Sequence, residues 1–114
     1  MPDCIFCKIA NKEMPAEIVY EDEQVLVFRD VKPVAPVHLL LIPKKHYASP
    51  LDLDEEDAAL AGQLQITAVR VAKNLGLAEH GFRVVCNCGR NGGQTVQHVH
   101  YHLLAGRSLM WPPG

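Results

Sequence analysis

The stretch Gly92–Ala105 reads Gly-Gly-Gln-Thr-Val-Gln-His-Val-His-Tyr-His-Leu-Leu-Ala. His98, His100 and His102 occupy alternate positions, separated and followed by Val99, Tyr101, Leu103 and Leu104. The composition reads as a β-strand. Residues two apart on a strand share a face, so the spacing predicts three imidazoles pointing one way, roughly 6–7 Å apart. Upstream, Gly89, Gly92 and Gly93 predict a loop whose backbone can approach a ligand closely. A row of bases beside such a loop suits a phosphate. A single strand histidine is usually a surface or satisfied core residue; three at period two are harder to read that way. His-x-His on a strand also suits zinc, and the strand's composition does not separate the two chemistries.

Around this stretch the chain is ordinary. Its 114 residues predict one domain, spanning 1–114, with enough surface buried for one core. Hydrophobic residues make up 48% and charged residues 21%, as in soluble globular proteins. The net charge of −2 argues against a nucleic-acid partner held by a broad basic surface. No apolar run approaches the ~18 residues needed to span a bilayer, so no membrane role is expected. Met1-Pro-Asp-Cys has no signal-peptide pattern, and a cytoplasmic location is the expectation. The four cysteines then read as thiols or metal ligands rather than disulfides.

Ile5, Phe6 and Ile9 fit one face of a short helix that Pro15 stops. Cys4-x-x-Cys7 stays ambiguous by spacing alone: a redox pair, half a zinc site, or two buried thiols. Glu17–Asp30 predicts a hairpin turning at Glu21–Gln24, with Leu26, Phe28 and Asp30 on one face. Asp30 suits a turn or a ribose hydroxyl. Residues 31–37 form a stiff, proline-rich connector. His38–Lys44 is a strand with His38, Leu40 and Ile42 on one face, closed by Pro43.

Asp54 looks like the N-cap of a long helix, with Leu60, Leu64, Ala68, Val71 and Leu75 as its stripe and Gly76 just past its end. Phe82–Cys88 is a further strand, in which Cys86 and Cys88 read as small core residues. Asn87, at its end, suits a turn or a sugar hydroxyl. Trp111, near the terminus, is either docked or exposed. The elements together predict an α+β fold: a five-stranded antiparallel sheet, one long and one short helix, and helices packed on one face.

The sequence His98-Val-His-Tyr-His-Leu-Leu, preceded by Gly-Gly-Gln-Thr-Val-Gln, resembles the histidine-triad (HIT) signature. Asp30, Pro36–His46, Asn87 and the Trp111-Pro-Pro-Gly end resemble its histidine-triad nucleotide-binding (Hint) branch. The likeness covers nearly the whole chain. The galactose-1-phosphate uridylyltransferase branch has glutamine where His102 stands, and fragile-histidine-type hydrolases do not typically end this way.

The resemblance implies a HIT-like homodimer with a continuous ten-stranded sheet. It implies a purine nucleoside phosphoramidase, cleaving the P–N bond of adenosine or guanosine 5′-phosphoramidates through a nucleotidyl-histidine on His100. An imidazole of ordinary pKa ~6.5 is a competent nucleophile near neutrality if its other nitrogen is held, for which a backbone carbonyl is expected. His102 would donate to a phosphate oxygen, His38 would order the imidazoles, and Thr95 would lie near the leaving group. Asp30 would bind the ribose, Leu26, Phe28 and Leu40 the base, and Asn87 and Gly93 the ribose and phosphate. Trp111 would reach the partner's site. Cys4, Cys7, His46 and His98 would hold a structural zinc; no organic cofactor is expected. The partner molecules would be a purine nucleoside monophosphate or its phosphoramidate. Other readings are a zinc-stabilised nucleotide-binding interaction protein with incidental turnover, and a dinucleoside polyphosphate hydrolase.

Overall fold

The computed structural model describes residues 3–114. Helix α1 (Ile5–Ala10) precedes β1 (Ile18–Glu21), β2 (Val25–Arg29) and β3 (Val37–Pro43). The long helix α2 (Ala58–Asn74), β4 (Phe82–Cys86), the single turn α3 (Gly89–Gly92) and β5 (Tyr101–Ala105) follow. The strands form one antiparallel sheet in the order β1-β2-β3-β5-β4. The expected α+β class and five-stranded sheet are therefore present.

The β1–β2 hairpin turns where the acidic run predicts. Asp22 Oδ1 accepts the N–H groups of Gln24 and Val25, each at 2.8 Å, and its Oδ2 accepts the Tyr20 hydroxyl. The turn is also tied to α2, because Gln63 Nε2 donates to Asp22.

Asp54 does cap, but it caps a 3-10 turn over Glu55–Asp57 that leads into α2. Its Oδ1 accepts the Glu56 N–H while Asp57 Oδ2 accepts the Asp54 N–H, a reciprocal box. At the other end, Gly76 takes φ +73°, the left-handed conformation that glycine adopts without strain. Leu64, Ala68 and Val71 of the expected stripe are buried, joined by Thr67 and Ala72, whereas Leu75 is exposed.

The helices cover both faces of the sheet, not one. Val25, Val27, Leu39, Leu41 and Leu103 pack on α2, while Leu26, Phe28, Leu40 and Ile42 pack on Phe6 and Ile9 of α1. The reason is parity: side chains alternate along each strand, and β2 and β3 are apolar at both parities. His38, Leu40 and His102 belong to the α1 face.

The histidine strand is also shorter than expected. It begins at Tyr101, so only His102 of the three lies in it; His98 ends a bend and His100 follows it in the irregular lead-in. β4 ends at Cys86 and lies at a sheet edge, leaving Cys86 exposed and Cys88 half-buried; neither is in the core. The glycine loop closes instead as α3, with Gly93 at φ +83° ending it.

Candidate active site

Sheet register builds the site floor. Phe28 pairs with Leu40, and Leu40 pairs with His102, setting three side chains in a row across β2, β3 and β5. His38 pairs with Leu104, one step diagonal to His102 on the same face. The rings of His38 and His102 come to 5.1 Å, and those of His100 and His102 to 5.0 Å.

Phe6 of α1 closes the row from above. Its ring meets the edges of His98 and His100 at 5.9 and 5.1 Å, and that of Phe28 at 5.6 Å. Such edge contacts add to simple area burial. All of these rings therefore lie on the α1 side of the sheet, although His98 turns to different neighbours.

The hydrogen bonds assign the protons. His100 Nδ1 lies 2.7 Å from the His98 carbonyl oxygen, so Nδ1–H donates there and Nε2 keeps its lone pair. The Val34 N–H donates to His38 Nδ1 at 3.1 Å, which places the proton of neutral His38 on Nε2. That N–H points at His102 Nδ1, 2.8 Å away, and His102 must then carry its own proton on Nε2. Asp30 Oδ2, 3.4 Å from His38 Nε2, is a second acceptor. One lone pair and one N–H thus stand on adjacent imidazoles.

Both relay histidines are held neutral. Burial lowers the His38 pKa, and the Asp30 carboxylate opposes it only in part. Burial, with the charges that His100 and His38 would carry, pushes His102 down to about 4.

These residues line a cavity of about 600 Å³. His38, His100, His102 and Thr95 form its polar end, and Asp30 stands on its rim with Val31 and Lys32. Phe28 and Leu40 lie in its apolar wall as expected, but so do Ile5, Phe6 and Ile9 of α1, together with Val96. The sequence marks those α1 residues only as a helix face. Their signal is that a six-residue helix with three apolar residues must cover something.

Four other expected residues are not in this lining. Leu26 is fully buried beside it, in the same cluster as Phe28. Asn87 is half-buried next to Gly93, and the Gly93 N–H is spent on the Arg90 carbonyl, closing α3. Trp111 is 79% exposed. Gln94, which the sequence reading passed over, staples the glycine turn in place: its side chain donates to the Ala48 and Val96 carbonyls and accepts the Gly89 N–H.

Behind the triad a second cluster converges. One ligand atom from each of Cys4, Cys7, His46 and His98 lies within 4.8 Å of the others. Cys4 Sγ and Cys7 Sγ stand 3.3 and 3.5 Å from His98 Nδ1, Cys7 Sγ stands 3.3 Å from His46 Nδ1, and the two Nδ1 atoms are 3.2 Å apart. His98 Nε2–H donates to the Pro43 carbonyl at 2.8 Å, so its Nδ1 offers a lone pair to the cluster. The four form a possible metal-binding group. Asp30, His38 and His102 also converge, but the hydrogen bonds already described account for their spacing.

Fold and site together define a histidine-triad protein. The HIT domain model matches residues 11–109, and the chain belongs to that family. It is 55% identical over 112 residues, 98% of this chain and 97% of the other, to an uncharacterised HIT-like protein of Synechococcus elongatus. Its structure matches a HIT family hydrolase from Legionella pneumophila with a TM-score of 0.96 at 50% identity, covering 98% of this chain and 100% of that one. A histidine triad protein from Clostridium difficile gives 0.94 at 49% identity over 96% of both chains. A histidine triad nucleotide-binding protein from Candida albicans gives 0.81 at 32% identity, covering 96% of this chain and 83% of that one. The fold is that of the HIT family hydrolases.

Proposed function

We propose that the chain hydrolyses purine nucleoside 5′-phosphoramidates, with His100 as nucleophile. The observation that carries this reading is the His100 Nδ1–H bond to the His98 carbonyl, which leaves Nε2 as the attacking lone pair beside the His102 Nε2–H. The base would lie on Phe28 and Leu40, extended by the α1 residues, and the ribose hydroxyls would donate to Asp30.

His100 Nε2 attacks phosphorus, an N–P bond forms, and the bond to the leaving nitrogen breaks. The departing amine takes its proton from solvent beside the exposed Thr95 hydroxyl. His102 Nε2–H donates to a non-bridging oxygen as charge accumulates there. Water then attacks phosphorus and gives a proton back to solvent, the N–P bond breaks with its electron pair returning to His100 Nε2, and nucleoside monophosphate leaves.

A structural zinc on Cys4, Cys7, His46 and His98 belongs to the same reading. Tetrahedral zinc with sulfur at about 2.3 Å and nitrogen at about 2.0–2.1 Å requires S···N near 3.5 Å and N···N near 3.3 Å. The donor spacings of 3.3–3.5 Å and 3.2 Å fit that shape. The ion would anchor α1 to the lead-in that carries His100.

Homodimerisation through the β4 edge, giving a ten-stranded sheet, is part of the proposal, with the exposed Trp111 serving the partner's site. It is supported by the edge position of β4. A cytoplasmic location accords with four cysteines that form no disulfide.

The test is amine release from an adenosine 5′-phosphoramidate by the native protein and by His100→Gly. Rapid release that the substitution abolishes supports the reading. Release that is slow or indifferent to His100 overturns it and leaves a nucleotide-binding protein. Faster turnover of a dinucleoside polyphosphate would change the leaving group from amine to nucleotide.

A further inference from the structure

Arg107 lies outside the cavity, one residue beyond Gly106 after β5, and its side chain is exposed. Its guanidinium nonetheless holds two backbone carbonyls from different parts of the chain. Nη2 donates to the Val34 oxygen at 2.9 Å, and Nη1 donates to the Ser108 oxygen at 3.0 Å.

Val34 is the residue whose N–H fixes His38 Nδ1. Arg107 therefore stands at the head of a continuous series. Arg107 holds Val34, Val34 holds His38, His38 donates to His102, and His102 presents its N–H to the cavity.

The connector carrying Val34 is anchored at its ends, by the Asp30 N–H donating to the His38 carbonyl at 3.0 Å and by buried Ala35. Asp30 Oδ1 accepts the Lys32 N–H at 2.8 Å, and Pro36 packs on Gly106. The Pro36 contact is tight: a Cβ at residue 106 would fall 2.6 Å from Pro36 Cβ, and Gly106 sits at φ +96°, where side chains are strained. Gly106 and Arg107 thus clamp opposite ends of one short segment. Val31 and Val34, both strongly exposed at 91% and 60%, have no core of their own to hold them.

We propose that Arg107 is a positioning residue for the triad, acting through Val34 to keep the His38 imidazole oriented with its Nε2–H on His102. This rests on the reading of His102 as phosphate donor, but the orientation itself is observable without substrate. The relay needs an acceptor at His38 Nδ1, and a Val34 N–H in place supplies the partner for it. Released from Arg107, the connector moves and Nδ1 is free to take a proton or another partner.

The test uses the full-length, ¹⁵N-labelled protein with its metal content unchanged, comparing native, Arg107→Gln, Arg107→Lys and Gly106→Ala. In the native protein, imidazole ¹⁵N shifts should show His38 and His102 protonated on Nε2 alone, and the Val34 amide should be protected from exchange. Arg107→Gln should lower that protection about tenfold, move the His38 shifts towards a mixture of forms, and reduce kcat on the phosphoramidate about fivefold, the worth of one hydrogen bond. Arg107→Lys keeps one cationic donor for the Val34 carbonyl and should recover most of the loss. Gly106→Ala, which pushes the same segment without touching the charge, should give the Gln signature.

An unchanged Val34 amide and unchanged His38 shifts in Arg107→Gln would overturn the proposal. A kcat loss with His38 shifts unmoved would also overturn it, since Arg107 would then act by another route. If the native protein shows no turnover while the shifts respond to Arg107 as described, the positioning link stands and the phosphoramidase reading fails.

Discussion

His100 Nδ1 is bonded to the carbonyl of His98, the residue whose own ring faces the cysteine cluster. One residue thus reaches the cysteine–histidine cluster through its side chain and His100 through its backbone. Whatever moves His98 moves the acceptor that orients His100.

The Cys4→Ser substitution should therefore separate stability from chemistry. Metal analysis of the purified native protein should find about one zinc per chain, by the single-site count. Cys4→Ser should lower Tm by several degrees, and kcat at a temperature where the variant remains folded should fall less than His100→Gly makes it fall. Metal-free native protein with an unchanged Tm would sink the zinc assignment.

His38→Ala should strip His102 of its donor while leaving the nucleophile's own bond to His98 intact. The rate of the chemical step should fall about tenfold to a hundredfold, up to the lower bound of proton-transfer contributions because His38 acts through His102. Rapid-quench measurement of the nucleotidyl-enzyme under single turnover checks this. An unchanged rate would remove His38 from the relay.

Acid should weaken the folded state through the same histidines. An unfolded histidine titrates near 6.5, whereas His102 in the fold is held down to about 4 by burial and by its histidine neighbours. Between those values the unfolded chain binds a proton that the native state refuses. Stability therefore falls as pH drops from about 6.5 to about 4, by up to about 1.4 kcal/mol per pH unit for one such group. Above this window the group contributes nothing, and below it the loss stops growing. His38, lowered by burial, acts in the same direction. Urea midpoints at pH 7, 5.5 and 4.5 should trace the fall, and His102→Gln should flatten it.

Phe6→Ala should be costly on two counts. Phe6 is buried, and its removal should destabilise the fold by about 3–5 kcal/mol. The edges of His98 and His100 lose their cover at the same time. Leu51→Ala, at an exposed position in the 3-10 turn Pro50–Asp52, should change stability by less than about 0.5 kcal/mol and serves as the control.

The strand count, the hairpin, the capped helix and the histidine spacing were legible because each is a local signal. Asp22, Asp54 and Gly76 act within a few residues of themselves. The carbonyl holding His100 was also foreseeable, because a nucleophilic imidazole needs its second nitrogen occupied. Placing both helices on one face failed because β2 and β3 are apolar at both parities, a pattern that does not say where a separate six-residue helix will settle. The part played by Ile5 and Ile9 in the cavity was hidden for the same reason. The resemblance placed Leu26 in the base slot with Phe28, yet Leu26, on the same face two residues earlier, is fully buried in the cluster with Phe6 and Ile9 and does not line the cavity. Gln94 and Arg107 were invisible because their partners, Ala48 and Val34, are distant backbone carbonyls that leave no mark in side-chain patterning.

The floor and the rim of the cavity differ in how freely they can change. β3 runs through the middle of the sheet with Leu39 and Leu41 packed on α2 and Leu40 and Ile42 packed towards α1. Almost any new side chain there disturbs one packed layer or the other. Val31, at the rim, is nearly free of neighbours. New ligand preferences should accordingly arise by drift in the 31–34 connector and at Ile5, while the strand beneath them stays nearly constant in sequence.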